Sequence, residues 1–210
     1  MFSQSRAAVV LFVIFTVLTG VVYPAVVTLI AQTCFHRTAN GSVIEVGDKA
    51  VGSDLIGQPF ASPHYFWSRP SATSPFPYNS ASSSGSNLGP TNDLLVTAVG
   101  DRVKKLRELD PKQDDRPVPV DLVTSSASGL DPEISPAAAE YQIPRIAKAR
   151  NRKPEEVAKL VTMTTESRWL GMLGEPRVNV LRLNLALDRE FGSVKTEPKT
   201  EPAVPTNATP

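Results

Sequence analysis

Few residues in this chain could carry out acid–base or nucleophilic chemistry. Its two histidines are His36, beside a long apolar run, and His64, inside the aromatic sequence HYFWSRP. A Ser-His-Asp arrangement would have to be built on His64, and a histidine among aromatic residues is more typical of a core or an interface. The sequence has no glycine-rich loop ending in Lys-Ser or Lys-Thr, and no HExxH, CxxC or GxSxG motif. These observations favour an accessory or binding protein without catalytic residues over an enzyme.

Two carboxylates flank a hydroxyl-rich stretch. Asp121 and Asp131 stand on either side of the sequence TSSASGL, whose oxygen atoms could help to hold a cation. The alternative is structural, because an Asp before a proline commonly forms a turn and Ser135 before Pro136 commonly caps a helix. The structural alternative is favoured, and no metal site is predicted.

Residues 70–92 form a second polar stretch, which contains no charged side chain. Its Ser, Asn, Gly and Pro residues predict a loop without a helix or strand, and a loop of this length is either a mobile linker or an ordered functional element. Phe76, Tyr78 and Leu88 could pin it to a surface, so both alternatives stay open.

Hydroxyl and amide groups in this stretch supply the candidate site residues. The segment 82–86 has the serines and glycine of a phosphate-binding loop but lacks a following lysine. The nucleotide candidates are therefore Ser82, Ser83, Ser84, Gly85 and Ser86. The candidates for contact with a partner or an entering ion are Asn79, Ser84, Asn87, Asn92 and Asp131.

The apolar run 7–31 is the element that determines where such a site can lie. It contains no charged side chain, and at about 1.5 Å of rise per residue it is long enough to cross a hydrocarbon layer of roughly 30 Å as one helix. It is too long for the core of a cleaved signal peptide, so a permanent anchor is favoured over a removed leader. Pro24 predicts a kink within the span.

The orientation of the span is less clearly encoded. Arg6 and the terminal amine lie on one side, whereas His36 and Arg37 lie on the other. A short leader, 1–6, before an apolar run favours the N-terminus inside, because long downstream domains are translocated largely regardless of charge. We therefore expect residues 32–193 to form one extracytoplasmic domain.

Composition sets limits on that domain. The 210 residues carry a formal charge of +1, which gives no indication of a nucleic-acid surface. A single cysteine excludes an internal disulfide, so the fold must be held together by packing. Nineteen prolines, of which only Pro24 precedes Pro59, predict many turns and extended loops.

The local patterns predict a membrane-anchored α+β protein. Strands are predicted at 42–46, as a short piece within 52–57, at 118–123 and at 178–181. One helix is predicted from Thr91 or Asn92 to about Leu109. Two more begin after Ser135, with a kink or break at Pro144, and at Pro154, and a short closing helix spans 185–191. The aromatic cluster 64–70 is expected to anchor the core, and 194–210 is predicted to be a disordered tail.

Long sequence motifs resemble the C chain of potassium-transporting ATPases, the KdpC family. They are GSDLIGQPF (52–60), YFWSRPSA (65–72), YNSASSSGSNLGPTN (78–92), VPVDLVTSSASGLDPEISPAAAEYQIPRIAKAR (118–150) and LGEPRVNVLRLNLALD (173–188). Together with the span they cover nearly the whole chain except its tail, where the sequence departs from the family pattern.

The resemblance implies a single-pass subunit of a bacterial inner-membrane complex that imports potassium at the expense of ATP. The implied partners are a channel-like potassium-binding subunit, an ATP-hydrolysing pump subunit and a small single-span subunit, besides membrane lipid. The family's C chain is described as a catalytic chaperone that raises the affinity of the pump for ATP. The resemblance also implies that this chain has no firmly bound cofactor of its own, because ATP and potassium are bound by the complex.

The predicted orientation conflicts with direct contact between this domain and ATP. A domain outside the membrane can influence nucleotide affinity only through the assembly, as a coupling free energy. An alternative role suits the outer location: the uncharged loop 70–92 would pack at the mouth of the channel subunit and stabilise or gate ion entry.

Overall fold

The computed structural model describes residues 2–111 and 116–194. The chain divides into two compact units between Ser53 and Asp54. The predicted limits of the leader, span and domain, 1–6, 7–31 and 32–193, remain predictions. The predicted tail lies, from residue 195 onward, outside the described residues.

The first unit is dominated by one long apolar helix that extends from Gln4 to Cys34 and is long enough to cross a membrane. It consists of α1 (Phe2–Val17), a π-helical turn (Leu18–Val22) and α2 (Tyr23–Cys34). The hydroxyl groups of Thr16 and Thr19 donate to the carbonyls four residues earlier, each at 2.7 Å, so they do not face lipid without a partner. The predicted single span is confirmed.

Pro24 explains the π-helical turn. Proline has no N–H to donate to the carbonyl four residues before it, which here belongs to Gly20. Just before this proline the helical hydrogen bonds join residues five apart instead of four, and the N–H of Tyr23 donates to the carbonyl of Leu18. The interruption predicted at Pro24 therefore takes the form of a π-helical turn immediately before it.

A short helix and a β-hairpin complete the first unit. Helix α3 (His36–Ala39) is followed by β1 (Val43–Val46) and β2 (Lys49–Ser53), which pair in antiparallel fashion around Gly47, with an irregularity at Ile44/Glu45. The strand predicted at 42–46 is confirmed. The second strand, predicted within 52–57, spans Lys49–Ser53. It begins earlier because the tight turn at Gly47 reverses the chain direction directly after β1.

The described part of the second unit contains four α-helices and a small antiparallel sheet, and α5, α6 and α7 pack against strand β5. The sheet has the strand order β3-β5-β4, with Ile134 and Thr165 both facing Val178. The elements are α4 (Asp93–Leu109), a 3-10 turn (Val120–Leu122), β3 (Glu133–Ile134), α5 (Pro136–Arg150), α6 (Pro154–Thr164), β4 (Thr165–Glu166), β5 (Arg177–Asn179) and α7 (Val180–Phe191). The largest fully buried apolar side chains are Phe66, Ile146, Leu183, Leu187, Val157, Val178 and Val180.

Three predicted helix starts are confirmed. The side chain of Asn92 accepts from the N–H of Leu94, and that of Ser135 accepts from the N–H of Ala138. The helix at Pro154 is preceded by Lys153, whose N–H donates to the side chain of Glu156. Each contact satisfies a backbone group that has no partner inside a helix.

Three local predictions differ from the structure. The strand predicted at 118–123 is absent, and Val120–Leu122 form a 3-10 turn in which the N–H of Leu122 bonds back to the carbonyl of Pro119. Of the kink or break predicted at Pro144, the break does not occur, because α5 continues through this residue. The carbonyl that loses its partner belongs to Glu140, an exposed residue that water can reach. The closing helix begins at Val180, capped by Asn179, so the preceding strand is only three residues long.

The aromatic segment, residues 63–69, crosses the core. Its backbone groups bond to side chains of the helices instead of to a neighbouring strand. Asn184 accepts from the N–H of Phe66 at 2.8 Å and donates to its carbonyl at 3.0 Å. Gln142 does the same for Trp67, at 2.8 and 3.2 Å. Both amides are buried, and Phe66 is fully buried. The prediction that these aromatic residues anchor the core is confirmed.

Two arginines of α5 complete this arrangement. Arg145 donates to the carbonyls of Pro63 and Tyr65, at 2.7 and 3.0 Å, and its guanidinium lies over the Trp67 ring. Burial lowers the pKa of Arg145 to about 10, so it remains charged at neutral pH. Arg150 donates to the carbonyl of His64 at 2.8 Å. The backbone of the segment is thus held from two helices.

Replacing Asn184 with leucine should lower the free energy of unfolding by about 2–4 kcal/mol, because the N–H and the carbonyl of Phe66 would both lose their partner in the core. Urea titration of the full chain in detergent, followed by circular dichroism, measures this change. Arg189→Leu is the control, since Arg189 is exposed on the same helix and its loss should change the value by less than about 0.5 kcal/mol. Equal values for the two variants would contradict the role of Asn184.

Candidate functional site

The polar loop, residues 70–92, has no helix or strand but is fixed to a second loop, residues 126–131. Ser71 Oγ donates to the carbonyl of Gly129 at 2.7 Å. Further along, the N–H of Ser84 and the hydroxyl of Ser83 both donate to the carbonyl of Ser128, at 2.9 and 3.0 Å. Of the two alternatives for this stretch, the structure shows the ordered one.

Side chains inside the polar loop also bond to its own backbone. Ser71 Oγ accepts from the N–H of Tyr78 at 2.9 Å, and Thr73 Oγ1 accepts from the N–H of Asn79 at 3.0 Å. Asn79 in turn donates to the carbonyl of Ser74 at 2.9 Å and accepts from the N–H of Ala81 at 3.1 Å. Thr73 and Asn79 are buried. The short polar side chains therefore replace the ladder of a helix or sheet.

Two glycines allow the polar loop and loop 126–131 to lie in contact. Gly129 has φ +67, and a Cβ there would lie 2.6 Å from both the carbonyl oxygen of Ser84 and the Cγ2 of Thr73. A Cβ on Gly85 would lie 2.8 Å from the carbonyl oxygen of Ala127. Any side chain at either position would push the two backbones apart.

A tyrosine and an ion pair hold the base of the polar loop. The hydroxyl of Tyr78 donates to the carbonyl of Arg69, and burial raises the pKa of Tyr78 to about 12, so the phenol stays protonated at neutral pH. Arg69 pairs with Asp131 at 3.1 Å, and the other oxygen of Asp131 accepts from the N–H of Glu133 at 3.0 Å. Both carboxylate oxygens of Asp131 are therefore engaged within the domain.

The nucleotide candidates lie in the part of the polar loop that faces loop 126–131. The N–H of Ser82 donates to the carbonyl of Asn79 at 3.0 Å, and that of Ser84 donates to Ser128. The hydroxyl of Ser84 donates to the carbonyl of Gly85 at 3.3 Å. A phosphate cradle needs several N–H groups that converge on one open point, whereas these groups bond to carbonyls of the protein.

The five partner or ion-entry candidates differ in how far their polar groups are already used. Asn79, Ser84 and Asp131 bond within the domain as described above, and Asn92 accepts from the N–H of Leu94 at 2.9 Å as the cap of α4. Asn87 is exposed and has a left-handed backbone, with φ +52. Asn87 is thus the candidate whose side chain is best placed for contact with another molecule.

Asp121 and Asp131 line one cavity, as their flanking position suggested, together with Arg69, Arg177, Glu133 and Glu175. Asp121 accepts from the N–H of Ser135 at 2.9 Å, and Glu133 pairs with Arg177 at 2.7 Å. Burial is the main cause that raises the pKa of Glu133. Within residues 2–111 and 116–194, no group of three or more His, Cys, Asp or Glu is arranged to hold a metal ion.

The residues that position the polar loop are not among the predicted site residues. The sequence pattern places Ser128 and Gly129 only in a polar loop, although SSASG combines hydroxyl groups with a glycine, which is typical of close backbone contact. Gln142 and Asn184 were missed because buried amides have no pattern of their own on an apolar helix face.

A family model described as "K+-transporting ATPase, c chain" matches residues 5–189. The chain belongs to the KdpC family. It is 59% identical over 186 residues to the potassium-transporting ATPase KdpC subunit of Burkholderia cenocepacia strain HI2424, which covers 89% of this chain and 96% of the relative. The corresponding subunit of Herpetosiphon aurantiacus is 59% identical (88% and 95% covered) and that of Methylococcus capsulatus 56% identical (90% and 98% covered).

Membership in the KdpC family fixes the broad role of the chain. It is a non-catalytic accessory subunit of the Kdp potassium-transporting ATPase and assembles with the other Kdp subunits. Its one long N-terminal apolar helix makes it a membrane subunit of that complex.

Gly129→Ala should loosen the polar loop and lower the free energy of unfolding by about 1–3 kcal/mol, because it forces both a strained φ and a clash with Ser84. Limited chymotrypsin digestion, read at the bond after Tyr78, should become several-fold faster. Gly100→Ala is the matched control, since Gly100 lies in α4 with open space around its Cα and should gain about 0.5–1 kcal/mol. Unchanged cleavage in Gly129→Ala would refute the close contact of the two loops.

Proposed function

We propose that this chain is an assembly and regulatory subunit whose domain lies outside the cytoplasm and presents the polar loop to the channel-like subunit of the complex. The observation that carries the proposal is an uncharged loop without regular secondary structure that is nonetheless fixed to the domain, at Ser71, Ser83 and Ser84. The further partners proposed are the ATP-hydrolysing pump subunit and the small single-span subunit.

A fixed, uncharged loop suits a contact surface for two physical reasons. Its conformation is set before binding, so less entropy is lost when a partner covers it. It also carries no formal charge whose hydration would be lost in the contact. A mobile linker of the same composition would lack the first of these properties.

The effect on ATP affinity is then indirect. With the domain outside, the chain favours one state of the assembled pump, and the difference in its contacts between states appears as a change in nucleotide affinity. The engagement of the Ser82 and Ser84 amides with protein carbonyls supports this indirect route over a phosphate contact at 82–86. Chaperone action would accordingly depend on assembly.

A second candidate function is a role in ion entry. It is favoured by the exposed side chain of Asn87 in a loop without fixed charge, which offers an amide oxygen near a potassium path without binding the ion tightly. In this form the subunit has no nucleotide role.

Asn87→Asp tests the contact surface. Aspartate tolerates the left-handed backbone but adds a charge to the loop, so we expect a several-fold lower yield of co-purified complex or a shifted apparent potassium affinity. Asn151→Asp is the matched control, because Asn151 is also exposed and left-handed, with φ +53, at the end of α5. If both variants transport potassium and assemble as the unmodified chain does, the polar loop is not a contact surface.

Protease accessibility in spheroplasts tests the orientation. Trypsin added outside intact spheroplasts should digest the domain from residue 54 onward, while a cytoplasmic marker protein stays intact until lysis. Digestion of the domain only after lysis would place it inside, reject the proposed location and make a direct contact with ATP possible.

A further inference from the structure

The hairpin between β4 and β5 ends in an exposed apolar group. We name residues 169–173 the apolar tip. Its four large side chains are solvent-exposed: Trp169 by 68%, Leu170 by 73%, Met172 by 74% and Leu173 by 52%. Exposed apolar residues elsewhere in the described part of the domain, such as Leu94 and Phe76, are more scattered along the chain. An apolar group of this kind marks a contact with another apolar phase.

The backbone of the apolar tip is folded so that these side chains face outward. The N–H of Trp169 donates to the carbonyl of Leu173 at 2.8 Å, and that of Leu173 donates back to Trp169 at 2.9 Å. The N–H groups of Gly171 and Met172 are also bonded, to Arg168 and Trp169. Four of the five N–H groups of the apolar tip therefore have partners, which lowers the cost of entering a medium without water.

The backbone conformation of the apolar tip is unfavourable for leucine. Leu170 has φ +52, a left-handed conformation that asparagine or glycine adopts more readily, and Gly171 follows at φ +75. The turn therefore places a leucine at a highly exposed point despite a backbone cost.

The charges around the apolar tip are compensated. In the segment 167–174 the only charged side chain is Arg168. Its guanidinium pairs with Glu175 at 2.6 Å. Trp169 lies three residues beyond Glu166 at the end of β4, and such a piece of chain can span up to about 10 Å. The charges of the sheet therefore need not follow Trp169 into an apolar phase.

We infer that the apolar tip inserts into the surface of the lipid bilayer that anchors the chain. The span 4–34 tethers the domain to that bilayer, which raises the local concentration of lipid so far that a small apolar wedge suffices for binding. Tryptophan is the residue enriched at such interfaces, and a protruding hairpin with paired backbone groups fits fluid acyl chains without a shaped groove. The inference needs the anchor but not the proposed contact of the polar loop.

Tryptophan fluorescence of the full chain in vesicles tests the inference, because the sequence contains only Trp67 and Trp169. In vesicles of phosphatidylcholine with brominated acyl chains, the Trp67→Phe variant should show emission from Trp169 that is shifted to the blue and quenched several-fold. Trp169→Phe retains only Trp67, which packs against Arg145 in the domain and should be quenched little. If Trp67→Phe disturbs the fold, the difference between the unmodified chain and Trp169→Phe gives the same signal.

A comparison of Leu170→Asp with Leu94→Asp tests whether the apolar tip, and not the domain surface in general, contacts the lipid. Aspartate tolerates the left-handed backbone at position 170, so the turn should remain while insertion and quenching are lost. Leu94, 69% exposed on α4, is an equally accessible leucine whose replacement should leave the quenching unchanged. If Trp169 is not quenched by brominated lipid but is shielded in the assembled Kdp complex, it contacts a protein and the inference is wrong. If Trp169 is exposed both in vesicles and in the complex, the inference is also wrong.

Discussion

The fold of the domain depends on two buried amides that take the place of a missing strand. The aromatic segment crosses the core in extended form, and each of its backbone groups left without a partner would cost about 1–3 kcal/mol. An amide side chain carries a donor and an acceptor, so Gln142 and Asn184 can each satisfy the N–H and the carbonyl of one residue. A carboxylate or an ammonium group offers only one of these two functions. Phe66 can therefore be fully buried without a sheet beside it.

The same interaction positions the polar loop. The aromatic segment ends at Arg69, and the polar loop begins at the next residue, so its base is set by a part of the chain already fixed to α5 and α7. The polar loop returns to this base through the hydroxyl of Tyr78, which donates to the carbonyl of Arg69. The side chain of Arg69 pairs with Asp131 of loop 126–131. The order of the polar loop follows from bonds to loop 126–131 and from side-chain bonds inside the polar loop. Neither gives a helix or strand pattern, so the sequence leaves the order of this stretch open.

Features encoded within a few residues were predictable. The starts of α4, α5 and α6 followed from Asn92, Ser135 and Pro154, because a cap and the helix that it begins are neighbours in sequence. The apolar span was predictable for a similar reason, since membrane thickness sets its length. The run 118–123 was not, because a short apolar sequence can be buried as a strand or as a turn, and only its partners decide.

The hydrogen-bond partners of the candidate site residues could not be predicted from the sequence. Asn79, Ser84 and Asp131 have the oxygen atoms expected of a ligand site, yet each bonds to the backbone or to Arg69 in the same domain. Whether a polar side chain faces inward or outward depends on the contact of two distant loops, and Gly129 permits that contact without leaving a periodic signal. Asn87 differs from these three residues because its side chain is exposed in the folded loop.

The π-helical turn before Pro24 has a consequence for how this subunit can meet its neighbours within the bilayer. A turn of this kind holds one residue more than a regular turn, which rotates everything after it by about 100° around the axis. Side chains of α1 and α2 that would share one stripe on a regular helix thus point in different directions. A neighbouring helix that packs along the whole span must change sides near Leu18–Val22, or two different neighbours can each occupy one half.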